Sequence, residues 1–198
     1  MTGAGAAASL KTKIPRSIFD QIANETNADL TVGTGSGMVT FDAVAVASLS
    51  GSAAPGDIII GIDKVDPATL PEEARQRVGD RPVYDFSVTA GGTQISSFGG
   101  GHANISIPYT LQPGEDKNAV VVYYIDDSGA LQTVRGAYNA ATGKVEFTTT
   151  HFSEYAVGYN KVSFTDVAAN AWYKSAVDFI AARGITTGIG NNMFGPEN

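Results

Sequence analysis

Val145-Glu146-Phe147-Thr148-Thr149-Thr150-His151-Phe152-Ser153-Glu154-Tyr155-Ala156-Val157-Gly158-Tyr159 repeats with a period of two. Val145, Phe147, Tyr155, Val157 and Tyr159 fall on one face and Glu146 and Glu154 on the other, as in a strand with one buried side. Upstream, Ala119 to Ile125 is almost unbroken Val and Tyr, which predicts a strand covered on both faces. Turns are expected at Asp126-Asp127-Ser128-Gly129 and from Asn139 to Gly143. Ile105, Ile107 and Tyr109 predict another strand. So do Tyr84, Phe86 and Val88, which alternate with polar residues up to Gly91-Gly92. Short strands with regular turns argue for an antiparallel sandwich.

Further out the pattern mixes. Pro71 to Val78 reads as a brief helix with Glu72 and Glu73 in its first turn, and Asp57 to Val65 as a strand. Asp42 is placed to cap a short Ala/Val-rich helix ending near Gly51. Leu30, Val32, Val39 and Phe41 alternate around Gly33 to Gly37, a hairpin. Pro15 opens a helix with Ile14, Ile18, Phe19 and Ile22 at helical spacing. Residues 1–13 are expected to be a flexible linker. The fold class is α+β, mainly β: a sandwich-like module with a few short helices over residues 14–159, divisible into 14–79 and 80–159.

The rhythm changes at Asn160. Trp172, Ala176, Phe179 and Ile180 follow helical spacing, and Gly184 sits where a left-handed helix cap belongs. Thr186 to Gly195 is a Gly/Asn-rich loop. Residues 160–198 are read as a separate unit.

Composition narrows the function. Thirteen basic and twenty acidic residues give a net charge of −7, without the counter-charge for general nucleic-acid binding. Charged residues are 17% of the chain, and with 23 Gly and no Cys this suits a secreted β-rich protein rather than a helical cytosolic enzyme. Without Cys there is neither a disulfide framework nor a thiolate metal site. No apolar run is long enough to span a membrane. The Gly/Ala-rich start lacks the basic and apolar regions of a signal peptide, so an export address is expected upstream.

Three apparent motifs dissolve on inspection. Gly33-x-Gly35-x-Gly37 lacks the third Gly of a dinucleotide fingerprint, because Met38 precedes a resumed strand. Gly143-Lys144 lacks the earlier Gly of a phosphate loop, where Tyr138 stands. Asp63, Asp66, Glu72 and Glu73 lack the alternating ladder of a calcium loop. No cofactor and no metal site are expected. His151-Phe152-Ser153 is different. In one continuous strand His151 and Ser153 share the core face, either as a satisfied polar pair or as a base beside a hydroxyl able to attack the Phe152 carbonyl.

Phe164-x-Asp166-Val167, Trp172, Ala176-Val177-x-Phe179-Ile180, Gly184-Ile185-x-x-Gly188 and Phe194-x-Pro196 together resemble the S-layer homology domain. The likeness covers residues 162–198. It implies a non-catalytic module that binds secondary cell-wall polysaccharide, often pyruvylated, and holds proteins on the bacterial surface. It also implies further S-layer homology repeats in the parent chain as partners. The family's Thr-Arg-Ala-Glu-like stretch, which supplies a ligand-binding Arg, would follow Asn198. Asp166, Trp172 and Gly188 are the candidate polysaccharide-binding positions. Asp166 can equally cap a turn, Trp172 can equally be core, and Gly188 can serve backbone geometry.

Residues 80–159 resemble the module found ahead of such repeats in Gram-positive surface proteins. The residues are Ile105 to Tyr109, Val120 to Tyr124, and Val145 through His151-Phe152-Ser153 to Tyr155. They are distantly similar to sandwich domains of netrin-receptor and tight-junction scaffold proteins. Some relatives of those cleave themselves between Phe and Ser of a His-Phe-Ser tripeptide. The expected function is an extracellular wall-anchoring or spacing slice of a longer S-layer or cell-surface protein. Self-processing at Phe152–Ser153 and a carbohydrate-active enzyme fragment are the alternatives.

Overall fold

Strand periodicity is realised as two antiparallel sheets. The computed structural model describes residues 9–197. The larger sheet places β1 (Ser9–Ile14), β2 (Ile58–Val65), β3 (Val83–Ala90), β4 (Glu154–Tyr159), β5 (Val120–Ile125) and β6 (Leu131–Val134) side by side in that order. A two-residue strand, β7 (Thr93–Gln94), adds to β3. The smaller sheet runs β8 (Gly136–Asn139), β9 (Lys144–Thr149), β10 (Ala103–Pro108), β11 (Gly37–Phe41), β12 (Leu30–Thr34).

Alternation decides which side chains meet. β3 buries Tyr84, Phe86, Val88 and Ala90, and β9 buries Val145, Phe147 and Thr149. These inner faces pack on one core with Ile58, Ile60 and Ile62 of β2 and Val39 and Phe41 of β11. Helix α1 (Arg16–Glu25) contributes Phe19 to that core, and α2 (Ala43–Ser50) contributes Ala45, Val46 and Leu49. Asp42 caps α2 as expected, accepting a 2.7 Å hydrogen bond from the Ala45 amide. A second apolar cluster covers the other face of the larger sheet. Ala74 and Val78 of α3 (Glu72–Val78) pack there on Val83, Val121, Tyr123, Ile125 and Ala156. That cover is why β5 reads as a continuous apolar run. Residues 14–79 and 80–159 interleave, since β2 pairs with β3 and β11 with β10. They share both sheets instead of forming separate halves.

Two expectations are corrected. Ser9–Ile14 is not linker but edge strand β1, paired from Ser9↔Asp63 to Ile14↔Ile58. Its Lys11-Thr12-Lys13 composition reads as coil, yet lysines on a sheet edge discourage pairing with other chains, and Lys13 meets Asp57 at 2.9 Å. The remainder of the predicted linker, residues 1–8, lies outside the described residues. Residues 145–159 are two strands, not one. β9 ends at Thr149 in the smaller sheet and β4 begins at Glu154 in the larger, so the chain changes sheets between them.

Beyond Tyr159 the regular element is α4 (Lys174–Ala182). Its buried residues are Val177, Asp178, Ala181 and Ala182, whereas Ala176 is exposed and Phe179 and Ile180 are half-buried. The apolar stripe is thus rotated from the predicted one, because Ala182 docks on the second cluster while Val177 and Ala181 meet Phe164. Gly184 ends the helix at φ +66°. Its amide bonds Ala181 and that of Ile185 bonds Ile180, the paired pattern of a left-handed helix stop.

Candidate functional site

The change of sheets sets the geometry of His151-Phe152-Ser153. Phe152 is the inward residue, 5% exposed, with its ring 5.0 Å from Phe98, 5.7 Å from Phe86 and 5.8 Å from Phe41. His151 and Ser153 are half-buried flanks, not core-face neighbours. The expected shared face assumed an unbroken strand, and the crossing removes it. Hydrogen bonding holds the corner: the Thr149 hydroxyl and the Tyr155 hydroxyl both donate to the His151 carbonyl, at 2.8 and 3.0 Å. The two hydroxyls lie 2.6 Å apart, and burial pushes the Tyr155 phenol up. The His151 ring stands edge-on to Tyr124 at 5.0 Å. The Ser153 carbonyl accepts from the Phe86 amide at 3.0 Å. Among the described residues no hydrogen bond joins the His151 ring to the Ser153 hydroxyl. The non-glycine residues in the left-handed region are Asn191 and Asn192, so the corner lies outside it. The contacts made here are those of a structural corner between the two sheets.

Residues 162–195 wrap a small core of Phe164, Val177 and Ala181, backed by Val162, Val167, Tyr173 and Phe194. Asp166 closes it. Its two carboxylate oxygens accept from the amides of Phe194 and Gly195, at 2.7 and 2.8 Å. The Phe194 and Gly195 bonds hold its carboxyl below the ordinary value. Thr165 ties the same loop from below, its amide 2.9 Å from the Asn192 carbonyl. Gly188 is fixed by backbone geometry. It lies at φ +74°, and a Cβ there would sit 2.2 Å from the Met193 carbonyl oxygen and 2.7 Å from the Phe164 ring. Trp172 is 92% exposed and touches Tyr173 edge-on at 5.5 Å, so the core role open to it from sequence is not taken. Asp166 and Gly188 are therefore brought to one loop, and Trp172 stands free of the small core.

Sequence reasoning missed the residues that fasten this segment to the sheets. Arg183 donates from Nε and Nη2 to the Gly136 carbonyl, from Nη1 to those of Asn118 and Phe179, and from Nη2 to that of Val120, all at 2.8–3.0 Å. Its guanidinium also lies 3.4 Å from the centroid of the Phe179 ring. Desolvation lowers its pKa to about 10. Asn160 adds a 2.6 Å bond to the Ala182 carbonyl, and Asn118 one of 2.8 Å to the Ser175 hydroxyl. A basic residue next to a helix-ending Gly was the available signal.

A row of three carboxylates lies elsewhere, on the larger sheet. Asp63, Asp85 and Glu154 are directly opposite one another across β2, β3 and β4. Burial raises Asp85 and Glu154, and their acidic neighbours raise them further. Among the described residues no group of three His, Cys, Asp or Glu is placed to hold a metal ion, and no helix is long and apolar enough to cross a membrane.

Comparison with known proteins bears on the same segment. Residues 163–198 match the family model of the S-layer homology domain. An amylopullulanase from Thermoanaerobacterium thermosulfurigenes is 28% identical over 94 residues, 47% of this chain. The chain spans only 5% of that relative's length. No solved structure matches the chain. The domain match points to an extracellular, wall-associated protein and to a general role in cell-surface anchoring. Residues 163–198 are an S-layer homology segment, and the chain carries it behind a β-rich module.

Proposed function

We propose that this chain is a non-catalytic anchoring or spacing unit of a longer cell-surface protein. Its S-layer homology segment takes part, with sister repeats of the parent chain, in binding pyruvylated secondary cell-wall polysaccharide. The observation that carries the reading is the family match over residues 163–198. Trp172 supports it in particular: an indole 92% exposed beside Tyr173 offers an apolar face with a polar edge, suited to a sugar ring. Asp166 and Gly188 act indirectly in this reading. They hold the Gly188–Gly195 loop in shape, and the Asp166 oxygens are already engaged by backbone amides. The β-rich module sets the distance between that anchor and the rest of the parent.

The test is co-sedimentation with purified Gram-positive walls, comparing this chain with a version extended by its sister repeats. The extended protein should pellet with intact walls and stay in solution with walls stripped of their secondary polymer, and Trp172→Ala should weaken retention about tenfold or more. Equal retention on stripped walls would overturn the reading.

A further inference from the structure

Among the described residues Arg135 is the one arginine without a hydrogen-bond or ion-pair partner. Arg16 and Arg183 bond carbonyls, Arg75 and Arg81 pair with Glu72 and Glu115, and Arg77 meets the Tyr123 hydroxyl. Arg135 is exposed where two grooves meet, of about 770 and 560 Å³, and both are lined by Arg135 and Thr148. The floor of the larger groove is the outer face of the smaller sheet. Thr40, Asn104 and Thr148 are neighbours there across β11, β10 and β9, with the Thr148 hydroxyl 2.6 Å from Asn104 Oδ1. Its wall is Phe179 and Ile185, the latter 68% exposed. The smaller groove adds both histidines of the chain, with Tyr124 and Gln132.

A row of hydroxyls and an amide beside an apolar wall matches the two characters of a sugar ring, which is polar at its rim and apolar on its face. An unpaired guanidinium matches a carboxylate in a two-pronged pairing. Arg183 cannot take that role, since its donors are engaged by carbonyls. Glu146, the carboxylate lining the larger groove, is turned to Asn139 and Thr142 at 3.2–3.4 Å. On a chain of net charge −7, an acidic ligand is repelled from most of the surface and finds its complement at this junction.

We propose that the joined grooves bind an acidic oligosaccharide, with one carboxylate on Arg135 and ring hydroxyls on the Thr40–Asn104–Thr148 row. Arg135 and the floor belong to the β-rich module and the wall, Phe179 and Ile185, to the S-layer homology segment; the proposal does not rest on that segment binding wall polymer.

Titration calorimetry on the full chain, with tetragalacturonate, maltotetraose and tetraglutamate as probes, tests it. Tetragalacturonate should bind, with affinity falling as salt rises. Arg135→Gln should weaken it about tenfold or more and flatten the salt dependence. Lys64→Gln removes an equal charge from the other sheet and should bind as the parent does. Maltotetraose should bind about tenfold more weakly. The proposal is overturned if tetragalacturonate fails to bind, or if Arg135→Gln binds it unchanged. Maltotetraose or tetraglutamate binding equally well would also overturn it, assigning the groove to neutral sugars or to acidic peptides.

Discussion

Replacing Arg183 by Met should release α4 and the S-layer homology segment from the sheets without unfolding them. The side chain makes five hydrogen bonds to four carbonyls, those of Asn118, Val120, Gly136 and Phe179. A hydrogen bond to a charged group is worth about 1.5–3 kcal/mol net. The bonds do not add here, because the guanidinium is held away from water and, among the described residues, pairs with no carboxylate; that desolvation lowers its pKa to about 10. A net loss of about 3 kcal/mol is expected, or about 100-fold in the opening of α4. Native-state hydrogen exchange measures this directly. Amides of α4 should exchange about 100-fold faster in the variant, while those of β3 and β10 keep their rates. Arg183→Lys should recover less than half of the loss, since one ammonium cannot reach four carbonyls. Unchanged exchange in α4 would refute the fastening role. Equal acceleration in α4, β3 and β10 would refute local release and make the segment part of one cooperative unit.

Three further outcomes are expected. The Asp166 carboxyl is depressed, so its contribution is complete above about pH 4 and lost as pH falls through the lower folded value. The Phe194 and Gly195 amide resonances should therefore titrate with a midpoint below 3.8, and a midpoint at or above it refutes the bonding. Glu154 is raised by burial and by Asp85 opposite it. Glu154→Gln should stabilise the fold by about 0.5–1 kcal/mol at pH 7, an advantage complete above the raised value and gone below 4.5; a destabilised variant at pH 7 would refute the repulsion. The Phe152–Ser153 bond should survive prolonged incubation at neutral pH, and an intact-mass measurement that finds a piece ending at Phe152 would overturn the structural reading of that corner.

What the sequence disclosed and what it hid divide along a physical line. Periodicity marks where residues point within an element, so β2, β3, β5, β10 and the hairpin of β12 and β11 were legible. Capping is equally local, and Asp42 and Gly184 behave as read. Which sheet a strand joins is not local. The run from Val145 to Tyr159 shows the same odd-numbered alternation on both sides of a change of sheets, and Phe152, out of phase with it, fills the core at the crossing. β1 was hidden for the opposite reason. An edge strand needs polar side chains, and those mimic coil. The S-layer homology segment was legible as a motif, but its hold on the module was not. Arg183 acts on backbone carbonyls, which carry no residue-specific signal.

Trp172 has an optical consequence. It is the chain's one tryptophan, and at 92% exposure it already sits in water in the folded state. Its emission should start near that of a free indole and change little as the sandwich melts. A denaturation curve followed at that wavelength would record almost nothing of the core. Tyr123 and Tyr155, both under 3% exposed, carry the useful signal. Their near-ultraviolet dichroism is fixed by packing and disappears with it. The same exposure makes the indole a sensitive reporter of whatever comes to rest on it, since any covering ligand replaces water and shifts the emission blue.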